Sequence, residues 1–229
     1  MNACYFVTGT DTDVGKTFVA SALLARAGQL GLRTSAFKPV AAGAQSTAEG
    51  LRNTDALELM AAMNQSLPYG VVNPYCFEAA IAPHIAAAEQ GVDIRVDDLM
   101  IHTKRFRAIA ADFSLVEGAG GWRVPLNSQQ SFADFAVALN MPVIMVVAMR
   151  LGCINHALLT AEAIARDGLP LAGWVANQAV AAVMANYRDN LETLKARLPA
   201  PLLGEIPYYP KRNIDNAAQW LKLPQELEH

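Results

Sequence analysis

Cysteine is scarce in this 229-residue sequence, which has three, at positions 4, 76 and 153. An odd number of widely separated cysteines matches neither a disulfide framework nor the ligand spacing of a zinc site. No N-terminal stretch joins a charged segment to an apolar signal core. We therefore expect a protein of the reducing cytoplasm.

Strong charge of one sign and long hydrophobic runs are also missing. The 18 basic and 21 acidic residues give a formal net charge of −3, which gives no electrostatic reason to expect nucleic acid or an anionic membrane as a partner. The longest apolar run, at 142–149, falls far short of the roughly 20 residues that span a bilayer. The expected partners are therefore small molecules, with no nucleic acid and no membrane.

What the sequence does contain is a series of short apolar runs, within a composition that is 53% hydrophobic. Such runs lack polar alternation because both faces of a parallel sheet are covered. The predicted strands are 4–8, 34–37, 114–116, 143–148, 171–176 and 202–206. The predicted helices are 15–30, 53–63, 96–111, 132–139, 155–167 and 183–198.

Strand alternating with helix predicts an α/β fold with a doubly wound, mostly parallel sheet flanked by helices. The length suits one domain over 1–226, while Leu227-Glu228-His229 is typical of an expression-tag remnant. The least regular stretch, 43–90, is expected to form loops and helices over one edge of a site. In such folds, ligands bind beyond the carboxyl ends of the strands.

The turn after the first strand resembles a phosphate-binding loop. Gly15-Lys16-Thr17 follows a strand and opens a helix, although Thr10 stands where the strict pattern has its first glycine. Backbone N–H groups and the helix N-terminus would hold phosphates, Lys16 would bridge the terminal phosphates, and the Thr17 hydroxyl would take a magnesium position. The alternative is an ordinary strand-turn-helix that uses Gly15 for its bend.

Three charged residues follow other strands or begin a helix near the predicted site. Lys38 closes the second strand, Asp55 lies near a helix start, and Glu117 ends the third strand. A lysine aimed at a phosphate loop would stabilise a transferring phosphoryl group, and the two acids offer oxygens that suit magnesium. The alternatives are a solvent-exposed lysine, a first-turn acid that the helix dipole favours, and a solvated turn residue.

Taken together, these motifs resemble the dethiobiotin synthetase family. The matching stretches are GTDTDVGKT at 9–17, FKPV at 37–40, LRNTD at 51–55, VNPY at 72–75, APH at 82–84, VEGAGGW at 116–122, LGCINHA at 151–157, GWVAN at 173–177 and LGEIP at 203–207. They span nearly the whole chain in the family's order. The resemblance implies a P-loop NTPase-like, Mg2+-dependent ligase that uses ATP and CO2 to close the ureido ring of dethiobiotin from 7,8-diaminononanoate, through a carbamate and a carbamic–phosphoric anhydride.

The resemblance also implies the site residues. Lys38 and Lys16 would be catalytic, and Thr17, Asp55 and Glu117 would hold magnesium. The implied ATP-binding residues are Thr12, Asp13, Val14, Gly15, Lys16, Thr17, Phe18, Asp55, Glu117, Gly118, Ala119, Gly120, Asn177, Gln178, Pro207 and Tyr208. The implied substrate-binding residues are Ala42, Arg150, Gly152, Cys153, Asn155 and Tyr187. A homodimer would share its substrate site across the interface, with the turn at Gly152, Asn155 and Tyr187 holding the substrate carboxylate.

Three positions depart from the family pattern. Ala42 stands where a serine is frequent, Gln178 replaces a frequent aspartate, and Arg150 replaces a common lysine. The first removes a hydrogen bond to the carbamate, and the second loosens base selectivity. Arg150 keeps the charge but presents a planar fork rather than a point charge.

Three other classes of nucleotide-binding protein are alternatives to this interpretation. Dimeric partitioning ATPases carry an early second lysine in the loop, where this chain has Asp11. Cobyrinate-type amidotransferases need a glutaminase domain for which this chain has no room, and Lys38 and Glu117 argue against a plain nucleotide-binding module. Hydrolysis of ATP that depends on the diamine plus bicarbonate separates these alternatives.

Overall fold

The computed structural model describes residues 3–211 and 213–224. The proposed tag remnant Leu227-Glu228-His229 lies outside the described residues, and the single-domain assignment 1–226 stays a prediction because it reaches past them. No helix within the described part of the chain is long and apolar enough to cross a membrane.

The secondary-structure elements alternate along the chain as the sequence predicts. The strands are β1 Ala3–Gly9, β2 Thr34–Phe37, β3 Val40–Ala41, β4 Gln45–Thr47, β5 Gly50–Arg52, β6 Tyr75–Cys76, β7 Phe113–Gly121, β8 Val143–Ala148, β9 Leu171–Asn177 and β10 Leu202–Ile206. The helices are α1 Lys16–Gln29, α2 Thr54–Ala62, α3 Tyr69–Val72, α4 Pro83–Glu89, α5 Val96–Arg107, α6 Phe132–Leu139, α7 Cys153–Arg166, α8 Tyr187–Arg197 and α9 Ile214–Ala218.

Six strands form the central sheet in the order β10-β9-β8-β1-β7-β2. Every neighbouring pair in this sheet is parallel. Strand β1, which leads into the phosphate loop, lies inside the sheet. Strands β8, β9 and β10 lie on one side of it, and β7 and β2 lie on the other. The predicted doubly wound parallel fold is therefore confirmed.

Helices cover both faces of the sheet, and this explains the uniformly apolar strands. Neighbouring residues of β1 point to opposite faces: Val7 packs with Val19 and Leu23 of α1, while Phe6 packs with Phe135 of α6. All six residues of β8 are buried. Strands of this kind carry no polar face that could signal alternation.

The stretch 43–90 holds more regular structure than the sequence predicts. Strands β3 and β6 pair in parallel, and β4 and β5 form an antiparallel hairpin that turns at residues 48 and 49. Gly50, which opens β5 after the turn, has a φ of +96°. The expectation of loops and helices alone was wrong for this part of the chain. Strands of two or three residues are too short to produce a periodic hydrophobic pattern.

Several predicted boundaries were also wrong. Strand β7 runs on to Gly121 instead of ending at residue 116, and α5 ends at Arg107 instead of 111. Helix α7 begins at Cys153, two residues early, because Gly152 turns the chain with φ 93°. Helix α8 begins at Tyr187, since residues 183–186 belong to the preceding loop.

Gly204 of β10 has no room for a side chain, which gives a test of how the end of the chain docks on the sheet. A Cβ there would lie 2.1 Å from the Trp220 carbonyl oxygen and 2.9 Å from Leu221 Cδ2. We expect Gly204→Ala to lower the free energy of unfolding by about 1–3 kcal/mol, as overpacking does. Thermal denaturation measures this as a fall of about 2–4 °C per kcal/mol.

Gly28→Ala is the matched control, because a Cβ there meets only Asn64 Nδ2 at 3.7 Å. Alanine is the better helix former inside α1, so this variant should be about 0.5–1 kcal/mol more stable than the parent protein. Equal melting temperatures for the two variants would contradict the close packing at Gly204.

Candidate active site

The phosphate loop joins β1 to α1 through a tightly folded turn. Asp13 and Gly15 have φ values of 57° and 84°, in the left-handed region that favours glycine. A Cβ on Gly15 would lie 2.3 Å from Asn177 Nδ2, and one on Gly9 would lie 2.6 Å from Val14 Cγ2. Both glycines are therefore required by close packing, and the loop keeps its fold although Thr10 replaces the usual first glycine.

Asn177 lies at the end of β9 and is almost completely buried. Its side-chain amide donates to the Val14 carbonyl oxygen at 2.8 Å. This residue thus helps to hold the phosphate loop in place, a contact that the sequence analysis missed. Its proposed role in reading the adenine edge stays a prediction.

A buried cluster of charged residues lies beside the loop. The Glu117 carboxylate oxygen Oε1 accepts hydrogen bonds from Thr17 Oγ1 at 2.8 Å and from Lys38 Nζ at 2.5 Å. Lys38 Nζ also lies 3.4 Å from Asp55 Oδ2 and donates to the Gly118 carbonyl oxygen at 3.2 Å. Lys38 is only 3% exposed and Glu117 is fully buried, so the alternatives of a solvent-exposed lysine and a solvated turn acid were wrong.

The surroundings shift the pKa of Lys38 and the pKa of Asp55 in definite directions. Burial opposes the charge on Lys38, but the carboxylates of Glu117 and Asp55 outweigh it and raise the pKa of Lys38. Burial likewise opposes the charge on Asp55, yet the positive charge of Lys38 outweighs it and lowers the pKa of Asp55. Lys38 and Asp55 therefore stay charged at neutral pH.

Lys16 differs from Lys38 because, among the residues that the structure describes, no carboxylate forms an ion pair with its ammonium group. Its Nζ donates to the Asp11 carbonyl oxygen at 3.5 Å. Burial, followed by repulsion from Lys38, lowers the pKa of Lys16 to about 8, although Glu117, Asp55 and Asp13 partly oppose the shift. The two lysines therefore hold their protons with very different strength.

The oxygen atoms of this cluster fit a magnesium ion. Glu117 Oε2 is buried and finds no hydrogen-bond partner among the described residues. Thr17 and Asp55 add a hydroxyl and a carboxylate on either side. In the part of the chain that the structure describes, no group of three or more His, Cys, Asp or Glu could hold a metal alone. This suits magnesium, which binds to one or two carboxylates together with substrate phosphates.

The glycine-rich end of β7 lies against the other side of the loop. A Cβ on Gly120, whose φ is 62°, would lie 2.7 Å from Val124 Cγ2 and 3.6 Å from Thr12 Oγ1. Gly118 lies over the Phe6 ring, where a Cβ would be 3.1 Å away. Ala119 packs on the apolar cluster beneath. This stretch continues the strand beyond its predicted end at residue 116.

A small cavity of about 70 Å³ opens beside the loop. Its lining residues are Asp13, Gly15, Phe18, Asn177, Gln178, Ala179, Tyr208 and Tyr209. Tyr209 was missed, and it packs edge to face on Phe18 with centroids 6.3 Å apart. The sequence could have indicated Tyr209, because it is a second aromatic residue directly after Tyr208. Pro207 instead lines a neighbouring cavity of about 440 Å³, which Gln178 also borders.

Arg150 contacts the phosphate loop. Its guanidinium group forms a 2.5 Å ion pair with the Asp11 carboxylate, which joins the loop after β8 to the loop after β1. From the sequence, Asp11 served only to distinguish the chain from partitioning ATPases, and Arg150 was expected to bind the substrate. Opposite charges after two strands could have indicated this pair. The sequence alone, however, does not show that β1 and β8 are neighbours in the sheet.

The turn after β8 brings Gly152, Cys153 and Asn155 together. Gly152 occupies the N-cap position of α7, Cys153 is buried, and Asn155 is exposed in the first turn. Asn155 therefore lies inside the helix and does not cap it. A helix start with accessible backbone N–H groups favours anions.

Tyr187 and Ala42, the other proposed substrate residues, have partners within the chain. Tyr187 packs on the apolar cluster that contains Cys153, and burial together with a hydrogen bond to Glu205 raises the pKa of Tyr187. Because the Tyr187 hydroxyl already contacts the Glu205 carboxylate, it is poorly placed to bind the carboxylate of a substrate as well. The Ala42 carbonyl oxygen accepts from Asn53 Nδ2 at 3.1 Å.

The lowered pKa of Lys16 makes nucleotide binding depend on pH. Below about pH 7 the ammonium is charged and attracts phosphate, whereas above about pH 8 the free protein must regain a proton on binding. We expect affinity for a non-hydrolysable ATP analogue to fall by up to about tenfold per pH unit above about pH 8. Calorimetry in two buffers of different ionisation enthalpy measures both the affinity and the proton uptake.

Lys16→Arg is the control, because a guanidinium group keeps its charge throughout this range. Its affinity should be lower but independent of pH. Equal affinity and no proton uptake by the parent protein across the same range would contradict the assignment.

Comparison with known proteins gives consistent results. A family model described as an AAA domain matches residues 4–214. Two proteins named ATP-dependent dethiobiotin synthetase BioD are close relatives. The one from Pseudomonas paraeruginosa (strain DSM 24068 / PA7) is 55% identical over 203 residues, 89% of each chain. The one from Chromohalobacter salexigens is 52% identical over 231 residues, 96% of this chain and 98% of the relative.

Among solved structures, the signal recognition particle receptor FtsY from Elizabethkingia anophelis aligns with a TM-score of 0.50 at 12% identity. The alignment covers 99% of this chain and 64% of the FtsY chain. At this identity the likeness shows the P-loop NTPase-like fold alone. Identity above 50% over most of the chain is decisive for the family: the chain belongs to the ATP-dependent dethiobiotin synthetases.

Proposed function

We propose that this ATP-dependent ligase forms dethiobiotin from 7,8-diaminononanoate, carbon dioxide and ATP, as a step of biotin synthesis. The observation that carries the proposal is the buried Lys38 ammonium, held between Glu117 and Asp55 beside the phosphate loop. A fixed positive charge at this point stabilises the negative charge that develops during transfer of a phosphoryl group.

The reaction needs ATP for a chemical reason. One amine of the substrate adds to carbon dioxide and loses a proton, which gives a carbamate whose oxygen is a poor leaving group. The carbamate oxygen attacks the γ-phosphorus of ATP and releases ADP, which gives a carbamic–phosphoric anhydride. The second amine then attacks the carbonyl carbon, loses its proton, and expels phosphate as the ring closes.

The chain's own residues would hold the reacting groups in place. Lys38 contacts the carbamate and the γ-phosphate, and Lys16 contacts the β- and γ-phosphates. Magnesium, held by Thr17, Asp55 and Glu117, supplies positive charge against the phosphate oxygens when it is bound. Burial of this cluster strengthens each of these interactions, because the local dielectric is low.

The nucleotide would extend from the loop toward the small cavity. Backbone N–H groups of 12–18 hold the phosphates, and Gly118, Ala119 and Gly120 lie along the nucleotide. Asn177 and Gln178 face the base together with Pro207 and Tyr208. The cavity beside the loop supports this direction, since Asn177, Gln178 and Tyr208 all line it.

The substrate carboxylate would bind at the turn after β8 of a neighbouring subunit in a two-fold dimer. Gly152 and Cys153 contribute the helix start, and Asn155 contributes an exposed amide side chain. Tyr187 borders this turn, while Ala42 and Arg150 lie on the side toward the carbamate and the phosphate loop.

The reaction and the role of Lys38 are tested together. Mass spectrometry should detect dethiobiotin only when diaminononanoate, bicarbonate and Mg-ATP are all present. Lys38→Ala should lower kcat by about 10²–10³-fold, the cost of losing one fixed transition-state contact. Lys195→Ala is the control, because Lys195 pairs with Glu192 on the surface of α8, far along the chain from the site.

Different results would contradict the proposed reaction and the proposed role of Lys38. Absence of dethiobiotin with the parent protein would remove the proposed reaction. Dethiobiotin formation with normal turnover in Lys38→Ala would leave the reaction standing and remove the role of Lys38.

The substrate turn is tested by Asn155→Ala. We expect KM for the diamine to rise about tenfold, roughly 1.4 kcal/mol, while KM for ATP stays nearly unchanged. The melting temperature should also stay unchanged, because Asn155 does not cap the helix. Steady-state kinetics and thermal denaturation measure the three quantities.

Mixing variants tests whether two subunits share a site. Asn155→Ala and Lys38→Ala proteins are unfolded together, refolded together and assayed at a diamine concentration below KM. Shared sites predict recovered activity, since mixed dimers contain one intact site. Activity no higher than that of the separate variants would place each site within one chain.

A further inference from the structure

The Tyr69 hydroxyl joins three separate segments of the chain. It donates to Asn73 Oδ1 at 2.8 Å and accepts from the Asn53 backbone N–H at 2.8 Å. Cys76 Sγ lies 3.3 Å from the same oxygen. The single hydroxyl proton goes to Asn73, so the Cys76 thiol is the donor in the third contact. All three hydrogen bonds therefore depend on one oxygen atom.

Through Asn53, this hydroxyl controls where Asp55 lies. Asn53 is the N-cap of α2, and its Oδ1 accepts from the Ala56 backbone N–H at 3.2 Å. Its Nδ2 donates to the Ala42 carbonyl oxygen. Asp55 is the second residue of α2, so the cap sets both the start and the rotation of the turn that carries the Asp55 carboxylate.

Through Asn73, the same hydroxyl controls the backbone of Lys38. Asn73 Nδ2 donates to the Lys38 carbonyl oxygen at 2.7 Å and to the Tyr75 carbonyl oxygen at 3.1 Å. The Lys38 backbone N–H donates to the Val72 carbonyl oxygen at 2.8 Å. The last residue of α3 and the residue after it thus fix both the backbone N–H and the carbonyl group of Lys38.

The environment of the ring keeps the hydroxyl in one place and one state. The Arg52 guanidinium carbon lies 4.3 Å from the ring centroid, a cation–π contact. Burial and the Cys76 contact raise the pKa of Tyr69 to about 12, so the hydroxyl keeps its proton at any working pH.

We propose that Tyr69 is a positioning residue, whose hydroxyl sets the placement of Lys38 relative to Asp55 and thereby the geometry of phosphoryl transfer. The proposal rests on the proposed function of that site. Lys38 follows β2 and Asp55 lies on α2, and no strand of the central sheet links the two directly. The connection through Asn53, Tyr69 and Asn73 joins the backbone segments that carry these two side chains, which lie 3.4 Å apart.

Tyr69→Phe tests the proposal, because it keeps the ring and its contact with Arg52 while it removes the hydroxyl. We expect kcat to fall about tenfold and KM for ATP to stay within about twofold, since errors near 1 Å in catalytic geometry cost up to about a hundredfold. The magnesium concentration that gives half-maximal rate should rise several-fold, because Asp55 is displaced.

Two variants serve as matched controls. Tyr75→Phe removes a hydroxyl from the neighbouring strand β6, where the ring packs edge to face on His102, and should leave kcat and the magnesium midpoint unchanged. Cys76→Ser keeps a donor toward the Tyr69 oxygen and should behave like the parent protein. Thermal denaturation of every variant records any general loss of stability.

A second measurement does not need the diamine. Calorimetric binding of a non-hydrolysable ATP analogue to Tyr69→Phe should require several-fold more magnesium than binding to the parent protein. If the parent protein makes no dethiobiotin, the proposed function fails, and this measurement still tests Tyr69. A lower melting temperature with unchanged kcat and unchanged magnesium midpoints would show a structural role only and overturn the proposal.

Discussion

The ion pair between Lys38 and Glu117 is the interaction on which the site depends. Its position follows from strand register: Phe37 of β2 pairs with Val116 of β7, and Val7 of β1 pairs with Glu117. The residue after Phe37 therefore lies beside Glu117, while β1 delivers the phosphate loop from the other side. Burying two charges costs several kcal/mol of desolvation for each ion, so this pair is better explained by chemistry than by stability.

The charge balance of the cluster explains why its two lysines behave differently. Two carboxylates, Glu117 and Asp55, contact Lys38 directly and hold its proton. The polar contact of Lys16, at 3.5 Å, is instead with a backbone carbonyl oxygen, that of Asp11. A phosphate group that approaches Lys16 supplies the negative charge that the protein does not. Lys38 is thus fixed before ligands bind, and Lys16 becomes fully charged as the nucleotide arrives.

The sequence predicted the central sheet and the gathering of Lys16, Thr17, Lys38 and Glu117 because both follow from one rule. Parallel strands end at the same edge, so a residue that follows a buried run can be placed without knowing its neighbours. The connections at Tyr69 could not be predicted this way. They consist of hydrogen bonds from one side chain on the short helix α3 to the N-cap of α2, to the residue after α3 and to the two-residue strand β6. Such contacts leave no periodic pattern in the sequence. The start of α7 was predicted two residues late for a related reason, since Gly152 turns the chain without a side chain.

The pair between Arg150 and Asp11 shows how the two halves of the site are connected. Both side chains are nearly half exposed, at 47% and 46%, so the pair adds at most about 1 kcal/mol to stability. Its consequence is geometric. Arg150 lies two residues before Gly152, so a contact with Asp11 fixes the spacing between the phosphate loop and the turn after β8. An arginine spans this distance with a planar group that holds its orientation, which a flexible lysine does not. The pair therefore holds the turn after β8 in a fixed position relative to the phosphate loop of its own chain, whichever subunit's substrate that turn would bind.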